Sequence, residues 1–141
     1  MGRVINTDST GKQRSQALRS VAELLRRLSQ KPDFDDEAKD MVATLVYCFR
    51  EIEDGIDSSA AAWEKRDYWM KADELRTRWD WVSRMKDQLQ TVAFNESWDQ
   101  LPPLFIKLLP YVSDIKITKM TRKEDLWMGN YARLLREKPV K

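Results

Sequence analysis

The stretch MVATLVYCFREIEDGIDSSAAAW, Met41 to Trp63, decides how this chain folds. Its apolar positions Met41, Leu45, Cys48, Ile52, Ile56, Ser59 and Trp63 follow one another at intervals of 4, 3, 4, 4, 3 and 4. That spacing is one face of a long α-helix and fits no strand. Gly55 costs about 1 kcal/mol inside a helix, so a kink there is allowed but not required. The small residues Ser58 to Ala62 leave room for a second helix to come close. Upstream, Lys31-Pro32 stops whatever precedes, and Asp33 or Asp35, followed by further acids, supplies the start signal of this helix.

Working outward, a second stripe begins almost at once: Tyr68, Ala72, Leu75, Trp79, Val82, Lys86, Leu89 and Val92. The register slips across the polar run Glu64-Lys65-Arg66-Asp67, which places a tight turn at residues 64–67 with Asp67 as N-cap. Two long antiparallel helices of roughly thirty and twenty-five residues result. The rival is one continuous rod, since the run holds no Gly, Pro or Asn. On the N-terminal side, a helix from Ser9 or Thr10 to about Gln30 carries the stripe Leu18, Val21, Ala22, Leu25 and Leu28. Lys12, Arg19 and Arg26 fall on another face, partly neutralised by local pairs of Glu23 with Arg19 and Arg27.

On the C-terminal side, Asp99 to Tyr111 reads as a short buried helix with Pro102 and Pro103 in its first turn. Residues 114–119 alternate apolar and polar with no second strand to pair with, which predicts an extended basic connector over 113–121. The capping box Thr121-Arg122-Lys123-Glu124 then opens a last helix burying Leu126, Trp127, Tyr131, Leu134 and Leu135. The predicted fold is therefore all-α: a single helical-bundle domain over 1–141, with residues 1–9 as a flexible arm.

Composition narrows the function. The 141 residues, 42% of them hydrophobic, are enough for one core. There is no histidine, which removes Ser-His-Asp and Cys-His nucleophiles and imidazole metal sites. The single Cys48 rules out an internal disulfide framework and lies in the apolar stripe, where it reads as an inert core residue. The longest apolar runs fall far short of the ~20 residues that cross a bilayer, and no secretory h-region opens the sequence, so the expectation is a soluble, cytoplasmic protein without a membrane partner.

The net charge of +2 is unevenly spread. Residues 1–31 hold seven basic side chains against two acidic, 32–57 two against nine, and 94–141 nine against six. Helices that complement one another inside a bundle would show this pattern, and so would a basic face kept for an anionic partner.

Six tryptophans need a reason in a chain of this length. Trp79 lies in the seam of Leu75 and Val82, whereas Trp69 and Trp81 fall about 120° to either side of Leu75. Either the C-terminal helices wrap over these flanks, making Trp81, Met85 and Val92 a second buried face, or a flanking ring stands exposed as an anchor or stacking platform. Trp69, Trp81, Ile115 and Ile117 are accordingly the candidates for contact with a protein partner or a second copy. Arg3, Lys12, Arg14, Arg19, Arg26, Lys116, Lys119, Arg122 and Lys123 are the candidates for phosphate contact with RNA or DNA backbone.

Nothing points to catalysis, a cofactor or a metal. Thr10-Gly11-Lys12 lacks the glycine and the hydroxyl residue of a phosphate loop, and Glu51 and Asp54 have no histidine partners for a metal pair. Tyr47, Tyr68 and Lys65 are conceivable acid or base groups with nothing converging on them. The sequence thus predicts a non-catalytic helical interaction module, with an accessory nucleic-acid binder as the alternative.

Overall fold

The computed structural model describes residues 7–139 of the chain. Five α-helices follow in order: α1 Thr7–Gln30, α2 Asp36–Lys65, α3 Trp69–Asn95, α4 Leu101–Val112 and α5 Asn130–Leu135. Short 3₁₀ turns precede α4 (Trp98–Gln100) and α5 (Glu124–Leu126), and no strand occurs among the described residues. The fold is an all-α bundle, and the continuous rod is excluded by the break between α2 and α3. Residues 1–6 of the expected arm, Arg3 among them, lie outside the described residues, while 7–9 already belong to α1.

The start signal of α2 reads as written and that of α3 does not. Asp35 caps α2, its carboxylate accepting from the Ala38 amide at 2.9 Å. Asp67, expected to cap α3, instead sits at φ 62°, and Tyr68 holds the cap position without a side-chain hydrogen bond. The turn closes through the Arg66, Asp67 and Tyr68 amides, which donate to the Trp63 and Glu64 carbonyls. It therefore uses the left-handed conformation that Asp tolerates better than most side chains, which explains how a turn forms without glycine.

The middle of α2 is the axis of the core. Met41, Val42, Ala43, Thr44, Leu45 and Val46 are buried one after another, which requires neighbours on all sides of the helix. α3 packs along one side of α2, α1 along another and α5 on a third. Gly55 sits where α1 comes close, since a Cβ there would lie 3.2 Å from Thr10 Cγ2. Ion pairs Glu53 with Lys86 (2.8 Å) and Glu64 with Arg76 (2.9 Å) hold α2 to α3.

The C-terminal third is tied down by two carboxylates. Glu23, in the middle of α1, is fully buried, not one member of a surface pair as its spacing from Arg19 and Arg27 suggested. Its oxygens accept from the Thr121 hydroxyl (2.6 Å), the Thr121 and Arg122 amides and Arg19 Nε (3.0 Å). The Arg122 guanidinium lies 3.6 Å away, anchored on Ser20 Oγ and the Gln16 carbonyl. Burial alone would raise the Glu23 pKa, but the hydrogen bonds from Thr121 and Arg122 outweigh it and hold the carboxyl below its ordinary value.

The second carboxylate, Asp40 of α2, accepts from the Gly129 and Tyr131 amides and so caps α5 from outside. The predicted capping box is thus not one: Thr121 is spent on Glu23, a 3₁₀ turn intervenes, and Leu126 is left exposed while Trp127 and Leu134 are buried. The connector 113–121 is irregular and carries no strand.

Glu23→Gln keeps the shape but removes the charge at which these donors point, and is expected to lower the unfolding free energy by about 2–4 kcal/mol at neutral pH in urea titrations. Thr121→Val removes one hydroxyl and costs about 1 kcal/mol. Because folding lowers the Glu23 pKa, its stabilisation is present above the ordinary carboxylate range and is lost as pH falls through the lowered value. The gap between wild type and Glu23→Gln therefore narrows below about pH 4; a gap independent of pH would contradict the assignment.

Candidate interaction surfaces

The residues of the α2–α3 turn are shaped by the fold but not consumed by it. Trp63 and Tyr68 meet edge to face at 5.7 Å, and the Lys71 ammonium lies 4.8 Å from the Trp63 ring centre and 5.4 Å from that of Tyr68. The bidentate pair of Arg76 with Glu64 closes the hairpin just below. On this platform stand Tyr68, Trp69 and Met70, which are 49%, 57% and 79% exposed. Three consecutive large side chains, each about half or more exposed, thus form a small apolar patch at a braced turn.

The other tryptophans belong to the fold. Trp81, a predicted partner-contact residue, is only 9% exposed. Its ring stacks on Tyr111 of α4 at 4.0 Å and 7°, and meets Phe49 edge-on at 5.8 Å. Together with Met85 and Val92 it makes the second buried face of α3, because α4 returns over that flank. Trp79 is half-buried beneath Arg14, Trp98 sits between Phe34 and Tyr131, and Trp127 is buried. Trp69 is the one tryptophan among the six whose ring is mainly in water.

Ile115 and Ile117 are half-buried and pack on the core from the connector. They also line a groove of about 360 Å³ whose other walls are α1 (Ala22, Leu25, Arg26, Ser29) and α4 (Phe105, Leu109, Val112). α4 contributes to this surface on its outer side as well, with Ile106 and Leu109 exposed; its single charged residue is Lys107.

The basic candidates do not form one free stripe. Arg19 and Arg122 converge on Glu23 from opposite sides of the chain, and Arg14 covers the Trp79 ring at 4.9 Å. Lys12, Lys116, Lys119 and Lys123 are exposed, and Arg26 lines the groove. Sequence spacing found the pair of Arg19 with Glu23 but missed Arg122, whose partners Gln16, Ser20 and Glu23 lie about a hundred residues earlier along the chain.

The acid and base groups are similarly committed. Cys48 is buried, and burial pushes its thiol up to about 12, so no reactive thiolate is at hand. A polar cleft of about 520 Å³ between α1, α2 and α5 is lined by Tyr47, Arg50, Glu51, Asp54 and Arg133. There the Tyr47 hydroxyl donates to Glu137 at 2.6 Å, and burial and then this carboxylate raise the Tyr47 pKa; Arg50 is held by Glu137 and Gln90. No three His, Cys, Asp or Glu side chains gather into a metal-sized group among the described residues. Nor is any described helix long and apolar enough to cross a membrane. Comparison with protein-family models, curated proteins and solved structures finds no match to this chain.

Iodide quenching separates the tryptophans. Trp69→Phe is expected to remove the largest share of quenchable emission, whereas Trp81→Phe leaves that share unchanged. The reverse order would place the wrong ring in water.

Proposed function

We propose that this chain is a non-catalytic interaction module that holds a protein partner through the aromatic turn between α2 and α3. The observation that carries this reading is the exposure of Tyr68, Trp69 and Met70 on a braced hairpin whose core contacts lie elsewhere. Aromatic residues and Met are the types enriched at protein interfaces, and a rigid knob loses little entropy on docking. Charge around the turn is mixed, with Lys65, Arg66 and Lys71 beside Asp67, Asp73 and Glu74. That favours a protein surface over a phosphate backbone or an anionic bilayer, each of which selects one sign. The turn also offers no convergent nucleophile or acid-base pair.

The alternative, contact with RNA or DNA backbone, retains Lys12, Lys116, Lys119 and Lys123, but Arg19 and Arg122 would enter it only by leaving Glu23 unpaired.

The double variant Trp69→Ser, Met70→Ser changes exposed side chains, so its stability should stay within about 0.5 kcal/mol of wild type. In nuclease-treated lysate of the source organism, a protein retained by wild type should be lost to this variant, with affinity down by at least about 30-fold, as for a central interface anchor. Sedimentation tests self-association in the same way. Identical retention and identical oligomeric state for both proteins would overturn the reading.

A further inference from the structure

We propose a nucleotide site on a surface that shares no residue with the aromatic turn: the cavity between α3 and α4 takes a nucleobase against Tyr111 and the attached phosphate between Arg84 and Lys107. The cavity measures about 300 Å³ and is lined by Trp81, Arg84, Met85 and Gln88 of α3 and by Lys107 and Tyr111 of α4. Trp81, Met85 and Gln88 stand three or four residues apart, as do Lys107 and Tyr111, so the cavity lies where one face of each helix meets the other. Trp81 and Met85 are buried and make its floor.

Tyr111 is the stacking surface. Trp81 covers one face of its ring, with the planes 7° apart and the centres 4.0 Å apart, yet the residue is 45% exposed. That exposure comes from the other face and the edge of the ring. Trp81 in turn meets Phe49 of α2 edge-on, so the platform is rigid before any ligand arrives and loses little entropy when a base stacks on it. The sequence offers Trp81 as a stacking platform; the fold buries Trp81 and presents Tyr111 in its place. Stacking of this kind accepts any base, since each has a π face.

Charge fixes where the phosphate lies. Both charged side chains that line the cavity are cations. Lys107 enters no ion pair among the described residues. Arg84 pairs with Asp80 one turn away, but both side chains are more than half exposed, and so weak a pair can exchange its carboxylate for a phosphate. Gln88 adds an amide with both a donor and an acceptor for the edge of the base. Beyond Gln88 the sign changes, because Asp87 and Asp99 line the adjoining cavity. A run of phosphates would be repelled there, which keeps the footprint short. A carboxylate ligand would use the cations and leave the ring face bare, whereas a nucleotide uses both.

The probe is adenosine monophosphate, titrated into the full chain at low salt while the backbone amides and the Trp81 indole N–H are followed by NMR. Adenosine, inorganic phosphate and a short single-stranded oligoadenylate are the comparisons. Adenosine monophosphate should shift Arg84, Gln88, Tyr111 and the Trp81 indole, and adenosine and inorganic phosphate should each bind at least about tenfold more weakly. Lys107→Glu, at an exposed position, should weaken the monophosphate by about tenfold and leave adenosine unchanged, which a folding defect would not do. Tyr111→Leu should abolish binding of both, and Tyr111→Phe, which keeps the ring, should retain it. Trp69→Ser, Met70→Ser should leave all of these unchanged, so the cavity and the aromatic turn stand or fall separately. An oligoadenylate that binds no tighter than the monophosphate assigns the site to a free nucleotide, and one that binds tighter through the same residues assigns it to a strand. Inorganic phosphate binding as well as the monophosphate, shifts confined to other residues, no binding of either adenylate, or no effect of Tyr111→Leu would each overturn the proposal.

Discussion

The carboxylate of Glu23 is the constraint from which the C-terminal third of the molecule follows. A carboxylate buried without partners costs several kcal/mol and would simply take up a proton. Here it stays charged because two backbone amides, one hydroxyl and one guanidinium nitrogen point at it. Two of those donors are amides of consecutive residues, so the bond fixes the path of the chain at Thr121 and Arg122 as well as two side chains. With that point pinned on α1, Ile115 and Ile117 are drawn over the flank of α1, and Trp127 is delivered to the core on the other side. Asp40 then receives the start of α5, and Glu137 ends the wrap on Tyr47 and Arg50.

What the sequence made legible were the features that depend on neighbours three and four residues apart. The seam from Met41 to Trp63, the slip at 64–67 and the Asp35 cap all read correctly, because each is local and periodic. The features that did not read are long-range. Glu23 has basic residues one turn away on either side, so a surface pair was the natural inference. The contrary signal was the block Val21-Ala22-Glu23-Leu24-Leu25, where apolar residues on several faces imply a helix surrounded at that level. Thr121 reads as a helix cap because the box pattern cannot tell an amide of its own turn from a carboxylate ninety-eight residues earlier.

The tryptophans show the same division. The sequence placed Trp69 and Trp81 symmetrically about the α3 seam, and only tertiary packing separates them. α4 lies over Trp81 and supplies Tyr111 to stack on it, whereas Trp69 begins α3 at the turn, where no element returns. The contact candidates Ile115 and Ile117 fall between these extremes, half spent on the core and half lining the groove. The surface proposed for recognition is thus what remains after the fold has used its aromatic and aliphatic residues: the braced turn that carries Tyr68, Trp69 and Met70.

Native-state hydrogen exchange on Glu23→Gln tests the central constraint most directly. If Glu23 holds the C-terminal wrap, the Thr121 and Arg122 amides lose protection. The first amides of α5 lose it with them, while the α2–α3 pairing keeps its protection. Unchanged protection at Thr121 and Arg122, or loss spread evenly over all helices, would contradict it.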